Sequence, residues 1–158
     1  ETDWAEYDAF VRKVADIRKA CSAANDIRRE LPGYLNHIQS AILDMPAAPE
    51  GLLAKASELK LQLSELSRKM NGDRSLARRQ FETPPSIGGR IGRCEYGLWD
   101  VTSAPTQVYQ DAYRIAAKQF GPALRELKLI ANEVAALEKQ IEMNNAPYTP
   151  GRWPEWNE

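Results

Sequence analysis

One histidine, two cysteines and a cluster of arginines are the side chains in this sequence whose types invite a chemical reading. His37 stands alone: no second His, Cys pair or helix-borne Glu-x-x-His motif accompanies it, so neither a metal site nor a catalytic role is expected of it. It sits beside an apolar helix position, Ile38, which makes it a surface or boundary residue. Cys21 and Cys94 are too far apart in sequence for a metal-binding spacing. They read as small buried core residues, the alternative being one disulfide in an oxidising compartment. "GGRIGR" lacks the preceding strand that a dinucleotide fingerprint or a phosphate loop requires, and no nucleophile-elbow motif is present. The carboxylates mostly alternate with Lys and Arg on helix faces, Asp8 with Arg12 for example, as a solvated face does. No catalytic residue, metal or cofactor is expected.

One cluster departs from this pattern. Arg74, Arg78, Arg79, Arg90 and Arg93 fall within 20 residues that hold a single acid, Glu82. Guanidinium forks match carboxylates and phosphates, so the cluster is a candidate contact for an anion or an acidic partner. The plainer expectation is that it pins an irregular linker to acidic helix faces and backbone carbonyls. A second candidate lies in the terminal "NNAPYTPGRWPEWNE". There Pro147, Pro150 and Pro154 forbid helix and hold the chain extended. Tyr148, Trp153 and Trp156 are then expected to lie on the body of the protein as an aromatic clasp, or else to serve as a contact read by a partner.

The elements that carry these residues are helices. Over 3–45, Trp4, Tyr7, Val11, Val14, Ile17, Cys21, Ala24, Ile27, Leu31, Leu35, Ile38 and Ile42 step by threes and fours. Asp3 and Glu6 form a capping-box-like start. The stripe keeps its phase across Pro32, so a kinked helix is expected rather than two helices separated by a turn. A second helix over 50–70 repeats Leu52, Ala56, Leu59, Leu63, Leu66 and Met70, with Pro49 in its first turn and Asn71-Gly72 as its stop. The segment 73–101 reads as a linker with one short helix after Pro84-Pro85. Its glycines make sense only if the backbone closely approaches another helix. The long helix 104–144, capped at Thr102 or Ser103 with Pro105 in its first turn, carries a second internal proline, Pro122. Its stripe runs through Tyr109, Tyr113, Ala116, Phe120, Leu124, Leu127, Ile130, Val134, Leu137 and Ile141. The extended tail covers 145–158. The fold class is all-α: an elongated antiparallel three- to four-helix bundle forming a single domain over 1–158.

The totals agree with a folded helical domain. Hydrophobic residues make up 43% and charged residues 27% of 158, and the formal net charge is −1. That balance argues against nucleic acid as a partner, and no apolar run is long enough for a membrane span. The chain begins at Glu1 without Met or a signal peptide, from which a processed or partial product is expected.

Three stretches resemble the helical C-terminal region of large bacterial proteins with sortilin-like β-propellers built from BNR repeats, often labelled glycosyl hydrolase. They are "LSRKMNGDRSLARRQFETPPSIGGRIG", "TSAPTQVYQDAYRIAAKQFGPALRELKLI" and "APYTPGRWPEW", together covering about residues 60–156. The matching features are Asn71-Gly72-Asp73, Pro85-Ser86-Ile87 with Arg90, Ala104-Pro105-Thr106 and Thr149-Pro150-Gly151-Arg152. The resemblance implies a periplasmic or extracellular parent whose propellers precede this C-terminal segment. It transfers no catalytic residue, and the export it implies makes pairing of Cys21 with Cys94 more favourable than the residues alone do. The expected function is a non-catalytic helical module that assembles or braces its parent, by self-association or by docking on the propellers. The alternatives are a glycan- or peptide-binding module using the arginines and the aromatic tail, and an accessory segment of a glycoside-hydrolase-like parent.

Overall fold

The computed structural model describes residues 4–100 and 105–156, with the side chain of Asp100 left aside. Among these residues the protein is an all-α helical bundle of five helices: α1 (Trp4–Leu43), α2 (Leu52–Asn71), α3 (Arg74–Arg78), α4 (Ile87–Asp100) and α5 (Gln107–Met143). Both long helices run without interruption through their prolines, Pro32 in α1 and Pro122 in α5. Pro32, Gly33 and Pro122 all have exposed positions, so the rings meet water rather than the core.

The buried stripe of α1 is Phe10, Val14, Ile17, Cys21, Ala24, Leu31, Leu35, Ile38 and Ile42, followed by Met45 just beyond the helix. Steps of four and three alternate along it, and the half-buried Arg28 fills the place between Ala24 and Leu31. This strict 3.5-residue repeat corrects the stripe expected from sequence: Trp4 is 59% and Ile27 51% exposed, and Phe10 is buried where Tyr7 and Val11 were expected, these two being half-buried. All six expected positions of α2, Leu52 through Met70, are buried. In α5 the inner row takes Ala112 and Ala123, while Tyr113 and Leu124 stay half-buried.

Several boundaries differ from the sequence expectation. Helix α2 starts at Leu52, after Gly51 at φ 87°, so Pro49 precedes the helix instead of occupying its first turn. Helix α5 starts at Gln107; the Thr106 carbonyl accepts from the Gln110 amide, and Pro105 lies ahead of the helix. The expected caps at Asp3, Thr102 and Ser103 fall outside the described residues. The segment after α2 contains two helices, not one: α3 is added before α4.

The chain falls into two compact units. One comprises residues up to Asn25 together with Leu66–Arg125. Its core includes Phe10, Val14, Cys94 and Ala112, with Leu98, Tyr109 and Tyr113 packed against them. Phe10 and Tyr113 meet edge to face at 5.8 Å. The other comprises Asp26–Glu65 and the chain from Glu126 onward. There α1 and α2 form a helical hairpin in which Gln39 Nε2 donates to Ser57 Oγ and Lys60 Nζ donates to Gln39 Oε1. Lys55 and Glu133 tie α2 to α5, and this carboxylate partner raises the Lys55 ammonium above its ordinary pKa.

Candidate interaction surface

Helix α3 holds two of the five clustered arginines, Arg74 and Arg78, with Arg79 as its C-cap, and it buries none of its residues. With no core to hold it, its structure rests on its ends. At the N-terminus Asp73 accepts hydrogen bonds from the Ser75 amide at 2.9 Å, the Ser75 hydroxyl at 2.6 Å and the Leu76 amide at 3.4 Å. The Ser75 hydroxyl, then its amide, holds the Asp73 carboxyl below the usual carboxylate range. At the C-terminus the Phe81 amide donates to the Leu76 carbonyl and the Gln80 amide to the Ala77 carbonyl. This is a Schellman closure, and it places Gln80 at φ 58°, the left-handed region that favours glycine. A side chain there costs roughly 1–2 kcal/mol, so the turn keeps its shape against both exposure and strain.

Arg74, Arg78 and Arg79 are exposed along this turn, and Leu76 and Phe81 remain 37% and 61% exposed beside them. None of the five clustered arginines makes an ion pair among the described residues, which corrects the expectation that they pin the linker to acidic helix faces. Arg90 is half-buried in α4, with its Nε buried and without a hydrogen-bond partner, and Arg93 is exposed.

Helix α4 starts where Ser86 Oγ accepts from the Gly89 amide at 3.1 Å, and it buries Ile87, Ile91 and Cys94. The close approach expected of its glycines occurs at two of them. A Cβ on Gly97 would meet the Tyr109 ring at 2.2 Å, and one on Gly88 would meet the Met70 carbonyl oxygen at 3.1 Å. Gly92 has nothing nearby, and the structure gives no packing reason for it. The face turned to water carries Tyr96 and Trp99, one helical turn apart and 69% and 90% exposed.

Trp99 also borders a groove of about 420 Å³ between α1 and α4. Tyr7, Val11 and Ala15 line it from α1 and Leu98 from α4, with the 2.8 Å ion pair of Arg18 and Glu95 among its walls. The Tyr7 hydroxyl donates to the Leu98 carbonyl. Both cysteines are free and buried, so the expected alternative of a Cys21–Cys94 disulfide is not what the structure contains. The Cys94 thiol donates to the Tyr109 carbonyl, and Cys21 Sγ accepts from Asn25. Burial pushes both thiols above their ordinary pKa.

The C-terminal segment is fastened by polar groups and not by its aromatic rings. Helix α5 closes with Asn145 at φ 57°, the Ala146 amide reaching back to the Ile141 carbonyl. Ala146 and Thr149 are the buried residues of the segment, and the Thr149 hydroxyl donates to Glu138 at 2.7 Å. Arg152 pairs with Glu142 at 3.0 Å while its guanidinium lies 4.7 Å from the Tyr148 ring centre. The Tyr148 hydroxyl exchanges hydrogen bonds with the Glu155 backbone, folding the segment on itself about Gly151 at φ 89°. Tyr148, Trp153 and Trp156 are 52%, 89% and 85% exposed, which overturns the aromatic clasp. The segment expected to run extended is instead folded back on itself, and its buried anchors, Ala146 and Thr149, leave the indoles facing water.

His37 is exposed, and among the described residues no group of three or more His, Cys, Asp or Glu side chains could hold a metal ion. No described helix is long and apolar enough to cross a membrane. The chain matches no known protein family, no curated protein and no solved structure. Sequence reasoning passed over Trp4, Tyr96, Trp99 and Phe81 as surface features. The available signal was phase: with Ile87, Ile91, Cys94 and Leu98 turned inward, Tyr96 and Trp99 fall off the α4 stripe.

Proposed function

We propose that this chain is a non-catalytic helical contact module that assembles or braces a larger protein through protein–protein surfaces. One observation carries the reading: all four tryptophans are exposed, Trp4 at 59%, Trp99 at 90%, Trp153 at 89% and Trp156 at 85%. A tryptophan typically offers 150–250 Å² of mostly apolar area, so roughly this much per side chain becomes available for burial by a partner. Tryptophan, tyrosine and arginine are the residue types that dominate binding energy at interfaces; Tyr96 lies one helical turn from Trp99, and Arg152, the neighbour of Trp153 in sequence, lies over the Tyr148 ring. The nature of the parent, an exported bacterial propeller protein, rests on the sequence resemblance alone. On that reading the partners are the propeller domains or a second copy of the chain, and the home is periplasmic or extracellular. Sedimentation velocity of the chain, alone and mixed with the remainder of its parent, tests the proposal. Association in either sample is expected; a monomer with no affinity for the remainder contradicts it.

The groove beside Trp99 supports a second reading, a module for a glycan or peptide ligand. An exposed indole beside an Arg–Glu pair offers a ring face for stacking and polar groups for hydrogen bonding. Glycan-array binding lost in Trp99→Ala with the fold intact favours this reading over the first.

A further inference from the structure

We propose that the self-capped turn Asp73–Phe81 is a docking element for an acidic polypeptide segment. The proposal rests on reading the chain as a protein-contact module and names the chemistry of one partner. Arg74 and Arg78 stand four residues apart, on one face of α3, where like charges repel, and Arg79 extends the positive patch. Residues 74–81 contain no acid, and none of these three guanidinium groups has an ion-pair partner among the described residues. The patch thus concentrates positive charge on a chain whose net charge is −1. The turn that presents it buries nothing, yet it is closed at both ends and holds Gln80 in the left-handed region. Local backbone strain of this kind, kept where no core requires it, marks a shape held for contact.

The partner's chemistry follows from charge complementarity. Carboxylates spaced along a peptide can engage the guanidinium forks in pairs. A nucleic-acid backbone calls for a longer basic track than one helical turn, and a membrane-surface helix calls for a broad apolar face that five residues do not supply.

The experiment uses the full chain and fluorescence anisotropy of a fluorescein-labelled peptide of repeating Glu-Glu-Leu. Labelled oligothymidylate and phosphatidylglycerol vesicles serve as the competing anions. Saturable binding of the peptide is expected, weakening as salt rises from about 50 to about 300 mM. The combined change Arg74→Gln, Arg78→Gln and Arg79→Gln should weaken it about tenfold or more with an unchanged melting temperature, charge-assisted pairs being lost. If the triple variant does not fold, Arg78→Gln with Arg79→Gln gives the same readout. Replacing Trp99, Trp153 and Trp156 by Ala should leave peptide binding in place, so failure of the assembly reading and failure of this one are separable. No peptide binding, binding unchanged by the arginine substitutions, or tighter arginine-dependent binding to oligothymidylate or vesicles overturns the proposal.

Discussion

Gly97 and Tyr109 form the tightest constraint at the residue scale. The ring lies 2.2 Å from where a Cβ would stand, a distance at which one side must move. Gly97→Ala is therefore expected to destabilise the fold by roughly 1–3 kcal/mol, as overpacking does. Thermal melting checks this, and the loss should shrink when Tyr109→Leu is made in the same chain. The two thiols make a second residue-scale prediction. Both are buried with raised pKa, so the folded state keeps them neutral where the unfolded chain ionises them. Their contribution to stability is full below the ordinary thiol value of 9.0 and is lost as pH rises above it. Denaturant midpoints measured across that range should fall in the native protein and fall less in a Cys21→Ala, Cys94→Ala variant. In the native state a thiol reagent should react slowly with both.

At the element scale, α3 and the C-terminal segment show how local rules operate without a core. Gln80→Gly removes the side chain from a left-handed position and should slow exchange of the Phe81 amide, whose hydrogen bond closes the turn. Faster exchange in that variant would show that the turn is held by something other than its caps. The C-terminal segment depends on Thr149, buried and bonded to Glu138. Thr149→Val should cost roughly 1–3 kcal/mol, a hydrogen bond to a charged group being lost, whereas Trp153→Ala should change stability by less than about 0.5 kcal/mol. Reversal of that order in thermal melts would restore the aromatic clasp. These elements were the least legible in the sequence. The three prolines mark a non-helical segment, but it folds back about Gly151 instead of running extended, and proline leaves open which face of the segment meets the protein. Capping chemistry at Asp73-x-Ser75 was present as a signal for α3, yet a helix without an apolar face gives no periodicity to find it by.

At the scale of the whole molecule, the helices were legible because burial imposes a period. The alternation of α2 from Leu52 to Met70 is fully buried as expected. In α1 the same rule, applied strictly, leads through Arg28, while the apolar Ile27 sits one residue off the phase and faces water. The surface was less legible, since nothing periodic records which large side chains a helix leaves in water. The proposed contact function rests on those side chains, and intrinsic tryptophan fluorescence reports on them directly. The dilute chain should emit as fully hydrated indole. Raising its concentration, or adding the propeller part of the proposed parent, should shift the emission to the blue, and the shift should vanish when Trp99, Trp153 and Trp156 are replaced by Ala. Emission that stays at the hydrated position at every concentration and with the propeller part of the proposed parent would contradict the account.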